Sequence, residues 1–198
     1  MKKGSVVVES LTVFIVILCC IFVALPFLVS TNKKEKNIVK WSQKFSNIEY
    51  AYSVLKAQSP DDDFMSSAFQ NRLKIFLRAK KDVPSFYKQE FLNRQNKNDI
   101  YIFNKFFENE KGIIIGYKWI NTKCRENQLC AVMSIDINGI EKPNIWGVDV
   151  FGVNVYRDNV EPAGKRYSLS EIRKDCSKRG TGVFCSEYYL RGGLVGRE

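Results

Sequence analysis

The chain has 198 residues, a formal net charge of +10, 45% hydrophobic and 13% aromatic residues, and no histidine. That length accommodates one domain beside a terminal segment, and the apolar content suits a packed body rather than a disordered chain. Without histidine, and without a GxxxxGK[ST], GxGxxG, HExxH or GxSxG motif, the chain lacks the commonest general base and metal ligand and the usual nucleotide and hydrolase signatures, so an enzyme is not expected.

The first 30 residues, MKKGSVVVESLTVFIVILCCIFVALPFLVS, carry no charge from Leu11 to Val29. At about 1.5 Å of rise per residue, a helix of that extent approaches the thickness of a bilayer core, so the segment is expected to cross a membrane. Glu9 stands just before the uncharged run, where an acid is costly unless it protonates or finds a cation. The nearest cations, Lys2 and Lys3, lie on the far side of Gly4-Ser5. A cut between Gly4 and Ser5 would create an α-amino group four residues before Glu9, titrating near pH ~8 and able to pair with it. An uncleaved signal anchor, or a secretory signal cut near Ser30, is the alternative, and neither accounts for Glu9.

A basic leader ending in Gly4, an acid at Glu9, an apolar helix and a proline at Pro26 resemble the class III leader of type IV pilins and type II secretion pseudopilins. Ser5 replaces the usual Phe, and Val7-Val8 replace the familiar Thr-Leu. The resemblance implies a leader at 1–4, a transmembrane and filament-core half of a long helix at 5–30, and a globular pilin-like domain at 31–198. It implies cleavage between Gly4 and Ser5, N-methylation of Ser5, subunit assembly through Glu9 and a helix kink at Pro26. The implied partners are copies of the chain and other pilin-like subunits, a prepilin peptidase and a membrane assembly platform. The implied location is the bacterial inner membrane, crossed once with the C-terminal domain periplasmic, and then a filament. A positive-inside count opposes that orientation, because Lys33, Lys34, Lys36 and Lys40 outnumber Lys2 and Lys3.

After Ser30, Ile38, Trp41, Phe45, Ile48, Tyr52 and Leu55 recur at steps of three and four with no Gly or Pro before Pro60. This is the stripe of an amphipathic helix, and it predicts one rod from about Ser5 to Gln58, with two helices broken at Ser30 to Asn32 as the alternative. Asp61 to Asp63 suit the start of a second helix, with Phe64, Ala68, Phe69, Leu73, Phe76 and Leu77 on its buried face; a metal at the three acids is the less favoured reading. A short helical piece is expected from Pro84 to Phe91 and a polar loop from Asn93 to Asp99. Gly112 to Ile120, Leu129 to Ile137 and Val148 to Tyr156 read as three strands of an antiparallel meander. A short helix follows from Ser168 to Asp175, and the tail from Tyr188 reads as a last strand or a frayed end. The fold class is therefore α+β, a long N-terminal helix with a membrane-spanning first half packed against a small antiparallel sheet.

Asp136-Ile137-Asn138-Gly139, Lys142-Pro143-Asn144 and Gly147-Val148-Asp149-Val150-Phe151 resemble the D-x-N-G…P-N-x-x-G-x-D-x-F signature of bacterial pilin-like proteins of type II secretion. Turn formation at Asn138-Gly139 explains most of it, and Asp136, Asn138 and Asp149 either hydrogen-bond the loop backbone or converge on calcium. Cys124, Cys130, Cys176 and Cys185 form an even set that fits an oxidising compartment. Of their three pairings the local one, Cys124 with Cys130 and Cys176 with Cys185, is expected; zinc is the rival, at spacings wider than the usual knuckles. Cys19 and Cys20 read as small residues facing lipid or another helix, with acylation as the alternative. The function expected is that of a structural subunit of a type IV pilus or type II secretion pseudopilus. Two alternatives stand beside it: a membrane-anchored periplasmic binding or sensor module, and a minor pilin that binds DNA through its basic surface, where Arg166-Tyr167 and Tyr188 to Arg191 interleave aromatic and basic residues.

Overall fold

The computed structural model describes residues 3–59, 66–83, 103, 105–121 and 123–194, with the backbone alone at 3–12, 23, 26–28 and 30–32. The chain divides into two compact units, Met1–Lys36 and Asn37–Glu198. Helix α1, Lys3–Gln58, carries residues of both.

In the first unit the side chains described between Val13 and Val29 are exposed at successive positions. Among the described residues no helix is long and apolar enough to cross a membrane. This corrects the expected single pass through the bacterial inner membrane, and with it the membrane-spanning first half assigned to the fold class.

The second unit corrects the fold class again, because its sheet is not small. Six strands, β1 (Ala79–Val83), β2 (Lys105–Asn109), β3 (Ile114–Trp119), β4 (Leu129–Asp136), β5 (Val150–Tyr156) and β6 (Val160–Pro162), pair antiparallel in chain order. Three of these lie within the strands predicted from β-branched alternation. Two of the others are edges that alternation could not show. β1 reads Ala-Lys-Lys-Asp-Val with only its ends partly buried, and charge at an edge discourages pairing with other chains. β6 ends on Pro162, which the edge position tolerates.

The sheet presents two apolar faces. On one, Phe107, Ile115, Ile135 and Phe151 stand opposite one another across four strands, and the stripe of α1 packs on this row. Trp41, Phe45, Ile48, Tyr52 and Leu55 are buried there and Ile38 partly so, each large side chain contributing about 1.5–3 kcal/mol. The Trp41 ring stacks on Phe151 at 5.0 Å, and its Nε1 donates to the Ser186 carbonyl at 2.9 Å. The Tyr52 hydroxyl lies 2.7 Å from the Tyr156 carbonyl and 2.8 Å from that of Arg157. The other face carries Phe103, Phe106, Ile114, Trp146, Val150, Ala163 and Val183. Gly116 lies beneath Phe106 because a Cβ there would stand 2.7 Å from the ring.

Helix α2, Ser67–Phe76, is capped by Ser66, whose hydroxyl accepts from the Phe69 N–H; the expected cap at Asp61 to Asp63 lies outside the described residues. Phe69, Leu73 and Leu77 are buried as expected, whereas Ala68 and Phe76 are exposed. The pieces predicted at Pro84 to Phe91 and Asn93 to Asp99 also lie outside the described residues. Helix α3, Leu169–Cys176, starts with a capping box between Ser168 and Glu171. Helix α4, Cys185–Leu190, replaces the expected strand or frayed end, and five of its six residues are buried.

Burial, and then the negative charge of Asp158, pushes the Tyr52 phenol well above its usual range. The folded state therefore holds the proton more tightly, so the stability Tyr52 contributes is intact below about pH 10 and declines as pH rises above it. Tyr52→Phe is expected to cost about 1–3 kcal/mol in urea unfolding at neutral pH, by depriving the two carbonyls of their donor. The variant should also lose less stability than the parent on alkaline titration; an unchanged alkaline slope would contradict the assignment.

Candidate functional site

Val13, Phe14, Ile15, Val16, Ile17 and Leu18 are all exposed, Phe14 by 59% and Val16 by 60%. Six successive residues at about 100° per step point to every side of a helix, so the apolar surface is a sleeve rather than a stripe. It continues through Ile21, Phe22, Leu25 and Val29, with Cys19 and Cys20 exposed as free thiols. Water-exposed apolar surface of this continuity is the mark of an interaction site. Gly4, Ser5, Glu9 and Pro26 all fall within α1, and their side chains lie outside the described residues.

The second candidate is the loop from Asp136 to Val150, which bonds most of its polar groups within the segment but leaves Asn138 Oδ1 and Asn144 Oδ1 buried without a hydrogen-bond partner among the described residues. Asp136 ends β4, pairs across the ladder with Val150, and is fully buried, as is Asp149. Gly139 has φ +71°, and a Cβ there would fall on the Gly112 carbonyl, so glycine is required. The Asp149 carboxylate accepts the Ile145 N–H at 2.7 Å on one oxygen and the Asn144 N–H at 3.0 Å on the other. Asn138 Nδ2 donates to the Glu141 carbonyl at 3.0 Å. The Asn138 N–H meets Asp136 Oδ1 at 3.3 Å. Asn37 on α1 ties the loop to the helix by donating to the Val148 carbonyl at 3.2 Å.

The structure thus brings Asp136, Asn138 and Asp149 together, as the sequence suggested, but with their polar atoms turned to the chain. Both Asp149 oxygens already hold backbone donors, and Asn138 gives its nitrogen to the Glu141 carbonyl while its buried oxygen has no partner among the described residues. A calcium ion needs several oxygens converging on one point, and no group of three acidic, cysteine or histidine ligands exists among the described residues. With the Asp149 carboxylate already taken up by two backbone donors, no role for calcium is derived. Burial holds the Asp149 carboxyl above the usual carboxylate range, against the opposing pull of its hydrogen bonds.

The cysteines pair locally, Cys124 with Cys130 and Cys176 with Cys185, at Cα separations of 5.2 and 4.8 Å. The first closes the β3–β4 connection. The second joins the end of α3 to the start of α4, and Asp175 holds the intervening loop by accepting the Thr181 N–H at 3.1 Å and the Phe184 N–H at 2.8 Å. Glu187 on α4, 2% exposed, bonds Arg191 Nε and lies 3.7 Å from Lys165 Nζ. A carboxylate this buried needs such partners. The short helix that carries it was not legible because its apolar spacing is interrupted by glycine on both sides.

Asp149→Ala strands two backbone N–H donors inside the loop, a loss of about 2–3 kcal/mol in chemical unfolding. Adding calcium to the parent protein should leave its unfolding midpoint where it was; a saturable rise, abolished in the variant, would restore the cation reading. No protein-family model, curated protein or solved structure matches this chain.

Proposed function

We propose that this chain is a filament subunit of the type IV pilin and pseudopilin kind, cut between Gly4 and Ser5 and assembled by packing α1 against α1 of its copies. The observation that carries the reading is the apolar sleeve from Val13 to Val29. A helix apolar on every side has no preferred face to lay on one neighbour; it is satisfied by being surrounded. A bundle of identical helices supplies such surroundings, and the body from Asn37 to Glu198 has its own core and needs none of the sleeve's residues to form it.

Glu9 supports the same reading by its chemistry. An acid beside an apolar sleeve loses its water when the sleeves pack, and a buried carboxylate without a partner costs several kcal/mol. The α-amino group of Ser5, exposed by the cut, is the cation that assembly would bring to it from a neighbouring copy. N-methylation of that amine keeps its charge while reducing its hydrogen-bonding capacity. Glu9 then acts as a register mark, since only one axial offset pairs every carboxylate with an amine.

Mass analysis of the mature N-terminal peptide should give a chain beginning at Ser5 with a methylated amine. Glu9→Val should leave the body folded and remove the chain from filaments formed by the parent, because its partner amine would be buried unpaired at a cost of about 3–5 kcal/mol. A chain that keeps Met1 to Gly4, or a variant that co-assembles at parental yield, contradicts the proposal.

A further inference from the structure

Between α1 and the two turns that face it, one preceding β1 and the other preceding β3, lies a cleft of about 360 Å³, a size typical of small-ligand sites. Three cations line it, Lys44 from α1, Arg78 from the first turn and Lys111 from the second, with Glu110, Tyr50 and Phe76 beside them. The scaffold under the cations is fixed. Asn109, 3% exposed, uses its side-chain oxygen to accept the Lys111 N–H at 2.9 Å and the Ile113 N–H at 3.1 Å. The Glu110 N–H donates to the Arg78 carbonyl at 3.1 Å, locking the two turns together.

Arg78 has φ +55°, the left-handed residue that follows the C-cap of α2 and ends that helix, its N–H bonded to the Ile75 carbonyl at 3.0 Å. The charges of the cleft are unbalanced. Glu110 lies 3.7 Å from Arg78, while among the described residues no ion pair is formed by Lys44 or Lys111. Burial lowers the pKa of the half-buried Lys44, and the charges of Lys111 and Arg78 lower it further. The three cations repel one another across a space with no compensating acid beyond Glu110.

We propose that this cleft binds a phosphate group, dianionic and either free or carried on a small organic ester, with Arg78 providing a planar two-pronged contact and Lys44 and Lys111 providing point charges. The guanidinium fork matches two phosphate oxygens and the ammonium groups neutralise the remaining charge. A dianion fits the imbalance better than a single carboxylate, which would leave a cation unmatched. Tyr50 and Phe76, 66% and 43% exposed, flank the cleft where the organic part of an ester would lie. The site stands independently of filament assembly.

The test is acylation of lysines in the full chain by an amine-reactive ester, read peptide by peptide by mass spectrometry, with exposed Lys123 as internal reference. Inorganic phosphate should slow labelling of Lys44 severalfold and saturably, relative to sodium chloride at the same ionic strength. Lys111→Gln and Arg78→Asn should each remove the protection with little change in thermal midpoint; asparagine tolerates the left-handed backbone, so the second variant keeps the turn. Phenyl phosphate protecting at lower concentration than inorganic phosphate would identify an ester as the ligand, and equal potency would identify the free ion. Equal protection by chloride, or protection that survives both substitutions, overturns the proposal.

Discussion

The body of this protein depends on one docking event, the seating of the second half of α1 on the central row of the sheet. Trp41 and Tyr52 are the two fixed points. Each buries an aromatic ring and each spends its polar atom on a backbone carbonyl, Trp41 on Ser186 and Tyr52 on Tyr156 and Arg157. Ring burial alone would let the helix slide along an apolar face. The hydrogen bonds allow only one position, because a buried indole N–H or phenol left without an acceptor forfeits more than a small shift in packing could return. The consequences spread outward: α4 is held through Ser186, and the loop from Asp136 to Val150 is held through Asn37.

That docking was legible in the sequence, since period-3.6 spacing from Ile38 to Leu55 needs no tertiary information. The three strands with β-branched alternation were legible for the same reason, and so was the short helix that became α3. Elements whose identity is decided by neighbours were not. β1 is a charged pentapeptide that becomes a strand only because β2 offers it a ladder. α4 is held by Cys176–Cys185, a local pairing that was expected, and by Asp175, whose acceptance of the Thr181 and Phe184 N–H groups leaves no trace in apolar spacing. Within the Asp136 to Asp149 loop the residues were identified but not their orientation. Spacing shows that three oxygen-bearing side chains will meet; it cannot show that Asn138 spends its nitrogen on the Glu141 carbonyl.

The two polar features of the second unit contrast instructively. In the loop, each acid is matched by donors of its own segment, so the fold consumes its charge. In the cleft under Arg78, cations gather with a single acid on turns that the ends of α2 and β2 hold in place. Self-consistent polar groups explain architecture, whereas unresolved repulsion held in place by a rigid scaffold points outward, to something the protein meets.

The apolar sleeve is unresolved in the same sense, and copies of the chain are the account given for what covers it. Cys19 and Cys20 lie inside it as exposed thiols, and a disulfide forms only when two cysteine Cα atoms come within about 7 Å. The most direct measurement is mild oxidation of the native protein, followed by non-reducing electrophoresis and peptide mapping. Packing of α1 against α1 predicts covalent dimers and higher species linked through Cys19 or Cys20, lost in the Cys19→Ser, Cys20→Ser double variant. A chain that remains monomeric under oxidation while both thiols still react with a soluble alkylating reagent would contradict the account.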